Sequence, residues 1–133
     1  MDSQDRPVAF VDSSAIIALV DADDSAHDAA VDAYRQLCKD HYRLFTTDHV
    51  VVETYDLLVN GVGPIVASAW LRNHKLPIYC VDEADLDAAG EILAARPVDS
   101  PVSFVDALSI SVMERLGVAD AFAVDPAFLG ALN

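Results

Sequence analysis

Four acidic residues, Asp12, Glu53, Asp106 and Asp125, stand where their apolar neighbours predict burial. Asp12 directly follows Val8-Ala9-Phe10-Val11, and Asp125 follows Ala121-Phe122-Ala123-Val124. Both runs read as short buried strands. Glu53 lies three residues after Val50 and four before Leu57, on the face those two share in a helix. Asp106 falls in line with Val102, Val105, Ser109, Ile110, Met113 and Leu116 of a helix read over Val102–Leu116 and ended by Gly117. A carboxylate on an apolar face costs desolvation energy unless it is paired or holds a cation. Several together raise one another's pKa unless a cation sits among them. Hard carboxylate oxygens select Mg²⁺ or Mn²⁺, and no Cys or His falls at zinc-ligand spacing. Such an ion can activate a water and stabilise the leaving oxygen of a phosphodiester.

Each acid alone has a second reading. Asp12 suits the N-cap of a helix starting near Ser13. Asp106 suits a first-turn acid on the helix dipole. Asp125 suits a turn before Pro126, and Glu53 the edge of its stripe. Asp82 is the control: it also ends an apolar run, Ile78-Tyr79-Cys80-Val81, but Asp85 three residues on makes it a capping arrangement. Asp48 is read the same way, and Asp21, Asp23, Asp24, Asp28 and Asp32 as a solvated loop and helix face. The informative feature is the combination of strand-end Asp with Glu53 and Asp106 inside apolar helices.

The elements that must position these groups alternate. Strands are expected at Val8–Val11, Tyr42–Thr46, Pro77–Val81 and Ala121–Val124. Helices are expected at Ser13–Val20, Ser25–Lys39, Asp48–Leu58 (capped by Thr47 or Asp48 and stopped by Gly61), Pro64–Arg72, Glu83–Ala95 and Val102–Leu116, with a last turn at Pro126–Leu129. Leu86, Ala89, Gly90 and Leu93 form the expected inner face of the fifth of these. Alternation implies parallel β-α-β units, and all-apolar strands imply helices on both faces: an α/β, three-layer αβα sandwich around a short parallel sheet. Ligands in such sheets bind beyond the carboxyl ends of the strands.

The 133 residues suffice for one domain, read here as 1–133 with residues 1–7 a flexible extension. Hydrophobic residues make up 53%, which excludes disorder of the low-hydrophobicity kind. Eight basic against 22 acidic residues give a net charge of −14, which excludes a broad basic face for nucleic acid. It leaves open nucleic acid reached through a metal ion. The same balance, with Arg outnumbering Lys, points to a salt-adapted, halophilic cytoplasm. The longest stretch free of Asp, Glu, Lys and Arg, Leu57 to Leu71, is 15 residues and is broken by Gly61-Val62-Gly63-Pro64, too short for a membrane span. With a polar N-terminus and two cysteines, Cys38 and Cys80, read as reduced thiols, the expected location is cytoplasmic.

Phe10-Val11-Asp12-Ser13-Ser14-Ala15, Val51-Val52-Glu53-Thr54, Ser103-Phe104-Val105-Asp106-Ala107-Leu108 and Phe122-Ala123-Val124-Asp125, in that order and spacing, resemble the PIN-domain ribonucleases. The chain looks most like the VapC-type toxins of toxin–antitoxin pairs, over Val8 to Phe128. The resemblance implies an αβα nuclease that hydrolyses RNA with Mg²⁺ or Mn²⁺. It implies Asp12 and Asp106 as principal metal ligands, and Glu53 and Asp125 as ligands directly or through water. Ser13 matches a hydroxyl residue supporting the first acid. A cognate antitoxin whose tail offers Arg or Lys to the acids, and a homodimer, are implied as partners. Two positions depart from the family pattern: Val105 precedes the third acid where Thr is frequent, and Pro126 follows the fourth.

Other classes fit less well. A non-catalytic acidic α/β partner-binding module could use the same fold but has no need of all four acids. A phosphoacceptor receiver would want a Lys after a late strand, and the lysines are Lys39 and Lys75. Gly61-Val62-Gly63 follows a helix rather than a strand and is no dinucleotide motif. His27, His41, His49 and His74 form no triad and are read as structural or exposed, and Trp70 and Tyr55 as packing residues.

Overall fold

A computed structural model describes residues 5–132. Four parallel strands, β1 (Val8–Val11), β2 (Arg43–Thr47), β3 (Ile78–Tyr79) and β4 (Asp120–Phe122), form a sheet in the order β3-β2-β1-β4. The register pairs Val8 with Arg43, Val11 with Phe122 and Thr46 with Ile78. Between β1 and β2 run α1 (Ser13–Val20) and α2 (His27–Lys39); between β2 and β3, α3 (Asp48–Val62) and α4 (Pro64–Asn73). Helices α5 (Glu83–Ala94) and α6 (Phe104–Leu116) lead to β4, and α7 (Pro126–Ala131) closes the described chain.

The strand order explains the layers. Steps β1→β2→β3 run one way across the sheet and β3→β4 runs back. Right-handed crossovers therefore place α1–α4 on one face and α5–α6 on the other. α1 packs on α2 and α3, α3 on α4, and α5 on α6. The expected three-layer αβα sandwich is the observed architecture. Between β1 and β4 the winding reverses, which opens a crevice at their carboxyl ends.

Ala9, Phe10 and Val11 are buried because helices cover both faces of β1. Phe10 packs edge-on against Phe45 and tilted against Phe128 of α7, with centroids 5.7 and 6.0 Å away. Several boundaries differ from expectation. Gly61 does not stop α3, which runs on to Val62 and ends at Gly63, where φ is +97°. A lone glycine inside a helix costs only about 1 kcal/mol, whereas positive φ selects glycine. Gly117, at φ +69°, ends α6 as expected. α5 turns Ala89 and, in part, Leu93 inward as expected, but Asp85 takes an inner place while Leu86 and Gly90 are exposed.

α6 starts at Phe104, not Val102, and is buried all round from Asp106 to Met113 rather than along one stripe. Its Ser109 and Ser111 hydroxyls donate to carbonyls of Val105 and of Leu108 and Asp85, which keeps them satisfied inside. Cys38 and Cys80 are free and exposed. Of the expected flexible extension, residues 1–4 lie outside the described residues. Arg6 and Pro7 are not loose: Arg6 donates to the carbonyls of His41 and Tyr42, and Pro7 accepts from Arg43 N–H. Among the described residues no helix is long and apolar enough to cross a membrane.

Candidate active site

The crevice between β1 and β4 is a cleft of about 430 Å³ lined by Asp12, Glu53, Asp106 and Asp125 together. Ser13, Ser14 and Ser103 line it too, and among the described residues no Lys or Arg does. A larger cavity of about 790 Å³, lined by Leu44, Trp70 and Phe122 among others, contains none of the four acids.

Asp12 leaves β1 and caps α1, its Oδ2 accepting from Ser14 N–H at 3.2 Å and from the Ser14 hydroxyl at 2.6 Å. Capping and site membership are thus compatible, because the cap engages one oxygen. The other, Oδ1, is buried and has no hydrogen-bond partner among the described residues. The second such atom is the Thr54 hydroxyl on the buried face of α3.

Glu53 projects from α3 and its Oε1 accepts from the Ser13 hydroxyl at 2.6 Å. The Ser13 hydroxyl, expected beside the first acid, reaches Glu53, while the Ser13 backbone and the Ser14 hydroxyl and N–H act on Asp12. Residues 13 and 14 open α1 and point about 100° apart around its axis, so adjacent hydroxyls serve different acids. Asp106 is the third residue of α6, in a capping box with Ser103. Its Oδ2 accepts the Ser103 N–H at 3.4 Å.

Asp125 is not a strand-end twin of Asp12. β4 stops at Phe122, and Ala123 and Val124 intervene before Asp125 caps α7 through Ala127 N–H. What returns Asp125 to the cleft is Ser14, whose hydroxyl oxygen accepts from both Val124 N–H and Asp125 N–H. Ser14 is the positioning group that sequence reasoning missed. Its signal was an Asp followed two residues later by a hydroxyl at a helix start. Asp24, read as solvated, also lines the cleft, with its Oδ1 accepting from Ala26 N–H.

Burial pushes the Asp12 carboxyl above its ordinary range; the Ser14 bonds pull it back in part, and Asp106 repels it upward. Burial likewise raises Glu53 against the Ser13 bond, with further repulsion from Asp12, Asp106 and Asp125. Asp106 is raised by burial and by Asp125, against the bonds from Ser103. The control acid behaves differently. Asp82 is exposed, caps α5 in a box with Asp85 and bonds Arg115, and it is held below the usual range.

Residues 9–129 match the family model described as the PIN domain. The chain belongs to the PIN-domain family. It is 33% identical over 124 residues to the 23S rRNA-specific endonuclease VapC20 of Mycobacterium tuberculosis, in two strains, covering 92% of both chains. The crystal structure of Mycobacterium tuberculosis VapC20, described as a sarcin-ricin loop cleaving toxin, superposes with a TM-score of 0.78 at 32% identity, over 93% of this chain and 94% of the other. The resemblance drawn from the motifs and the αβα fold it implied are borne out.

The donor set of this PIN domain fits a hard divalent ion. All four groups are carboxylates, three are raised by burial and mutual repulsion, and one buried oxygen is unpartnered. Among the described residues no three Asp, Glu, His or Cys side chains are gathered closely enough to hold an ion by themselves; Mg²⁺ asks for only one or two carboxylates and keeps several waters.

Proposed function

We propose that this chain is a metal-dependent endoribonuclease that hydrolyses RNA phosphodiester bonds, the toxin of a VapBC-type toxin–antitoxin pair, with residues 1–133 acting as one nuclease unit. The observation that carries the reading is the buried, unpartnered Oδ1 of Asp12 in a cleft walled by three further carboxylates and no cationic side chain. RNA is a polyanion, and this cleft would repel it unless a cation came between. Asp12 and Asp106 are the principal holders of Mg²⁺ or Mn²⁺, with Glu53 and Asp125 binding directly or through water. Bound there, the ion supplies positive charge and Lewis acidity toward the phosphodiester.

The chain's own residues do the positioning. Ser14 fixes Asp12 and, through two backbone N–H groups, the approach of Asp125. Ser13 fixes Glu53, and Ser103 seats Asp106 at the start of α6. The acids thereby stand at the end of β1, at the N-cap of α7, and on helices α3 and α6.

The full set of acids argues for catalysis over a non-catalytic binding module on the same fold. The supporting comparison is the likeness to VapC20, itself named as a 23S rRNA-specific endonuclease. A restraining antitoxin offering Arg or Lys to the cleft, a homodimer and a cytoplasmic location belong to the same reading. Cleavage of RNA by the purified protein, with Mg²⁺ and with EDTA, tests it. Activity is expected only with the metal. Cleavage that survives EDTA, or an Asp106→Asn variant that cuts at the wild-type rate, would overturn the metal-nuclease reading. A second small chain is expected on purification from the native operon.

A further inference from the structure

A second groove, of about 630 Å³, opens beside the acidic cleft and shares Glu53 and Leu57 with it as a common wall. Its apolar walls are Val52, Leu57 and Val105, with Val52 64% exposed. Asp48 and Asp56 also line it, so it would repel a phosphate. What it can take of an RNA is the uncharged part of a nucleotide: a base against the apolar wall and its ribose.

His49 lines this groove, and among the described residues no Lys, Arg or second His lines either groove or cleft. Its ring is aimed. Asp48 Oδ1 accepts from His49 Nδ1–H at 3.0 Å, and the same oxygen is held by His49 N–H at 3.0 Å and by Val81 N–H at 3.1 Å. A carboxylate oxygen only accepts, so Nδ1 carries the proton. Nε2, on the far edge of the ring, is then an acceptor in the neutral ring and a donor in the charged one. A ribose 2′-hydroxyl both donates and accepts, so it can bond Nε2 in either state.

We infer that the groove beside the acidic cleft seats the nucleotide next to the scissile bond, and that His49 Nε2 bonds its 2′-hydroxyl. This makes His49 a specificity-determining residue that distinguishes RNA from DNA at one position. The inference rests on the nuclease reading and deepens it.

The test uses the shortest RNA that the wild type cuts at one site, with single 2′-deoxy substitutions at each nucleotide flanking the cut. In wild type, kcat/KM should fall about five- to tenfold at one flanking position, the worth of one net hydrogen bond. His49→Phe keeps the ring and removes both nitrogens. It should lose a similar factor on the all-RNA substrate and lose nothing more from the 2′-deoxy change at that position. His49→Gln, which returns a polar group near Nε2, should recover part of the penalty. An undiminished 2′-deoxy penalty in folded His49→Phe would overturn the inference and leave the nuclease reading standing. So would a His49→Phe variant that changes only the oligomeric state, which would give the groove to a second copy of the chain. A wild type that cuts no RNA would overturn the nuclease reading itself.

Discussion

The Ser14 hydroxyl donates to Asp12 Oδ2 at 2.6 Å while its oxygen accepts from Val124 and Asp125 N–H at 3.0 and 3.2 Å. One side chain uses its full bonding capacity to join the start of α1 to the segment after β4. Ser14→Ala would strip a charge-assisted bond from a buried carboxylate and leave two backbone donors to find other partners. We expect it to destabilise the fold by ~2 kcal/mol and to reduce RNA cleavage more than tenfold. Thermal melting with kinetics checks this, and Ser14→Thr should restore much of both.

Ser13 makes the opposite case. Its hydroxyl serves Glu53 across the cleft and, among the described residues, is bonded to no backbone group. Ser13→Ala should leave the melting temperature within about 2–3 °C of wild type, an effect below ~1 kcal/mol, while slowing cleavage roughly tenfold. Equal losses of stability in both serine variants would show that the hydroxyls are not specialised as described.

The acids also set a pH dependence. Burial raises the Asp12, Glu53 and Asp106 carboxyls, so the native state holds their protons more tightly than the unfolded chain does. Stability then falls as pH rises from the unfolded carboxyl range of about 4 through each folded pKa, and levels above it. Asp82, lowered by its cap and by Arg115, works in the other sense and gives up its contribution as pH falls through its folded pKa. Melting curves without divalent ion from pH 4 to 7 should decline less steeply in Asp12→Asn/Asp106→Asn than in wild type. Parallel curves would show that the cleft carboxyls do not carry the effect.

How much of this was legible in the sequence follows from what each feature depends on. The acids were legible because a charge inside an apolar run has few explanations. The strand alternation was legible because β1 is apolar throughout and Leu44-Phe45, Ile78-Tyr79 and Ala121-Phe122 set short apolar centres between the helical patterns. Ser103 and Asp106, spaced like Asp82 and Asp85, carried a capping-box pattern that places the helix start at Phe104 rather than Val102. The hydroxyl assignments were not legible. Which serine faces Asp12 and which Glu53 depends on the orientation of α1 against α3, a tertiary fact. Nor could local pattern show that β4 ends at Phe122, since Ala123 and Val124 suit a strand but have no further β1 residue beside them.

A net charge of −14 bears on solution conditions. Self-repulsion across the surface is screened as the Debye length falls from about 10 Å at 0.1 M salt to about 3 Å at 1 M. If the composition is an adaptation to salt, the melting temperature should rise steadily with KCl across that range. A flat or falling series would remove the halophilic reading without touching the fold.

Metal binding should be visible without any RNA. An ion among Asp12, Glu53, Asp106 and Asp125 would relieve their repulsion, and an ion that binds only the native state stabilises it by mass action, by about 2.7 kcal/mol at a hundred times the dissociation constant. Mg²⁺ or Mn²⁺ should therefore raise the melting temperature of wild type. Asp12→Asn and Asp106→Asn keep size and an acceptor oxygen while losing charge, so each should melt at or above the metal-free wild type. Each should also lose most of the metal-induced rise and reduce cleavage by about a hundredfold or more. Asp82→Asn separates site from charge in general. It also removes a carboxylate, but from an exposed cap bonded to Arg115 on α6, so its metal response and cleavage rate should match wild type. If Asp82→Asn blunts the metal response as strongly as Asp106→Asn, the ion is reading bulk surface charge and the cleft is not its site.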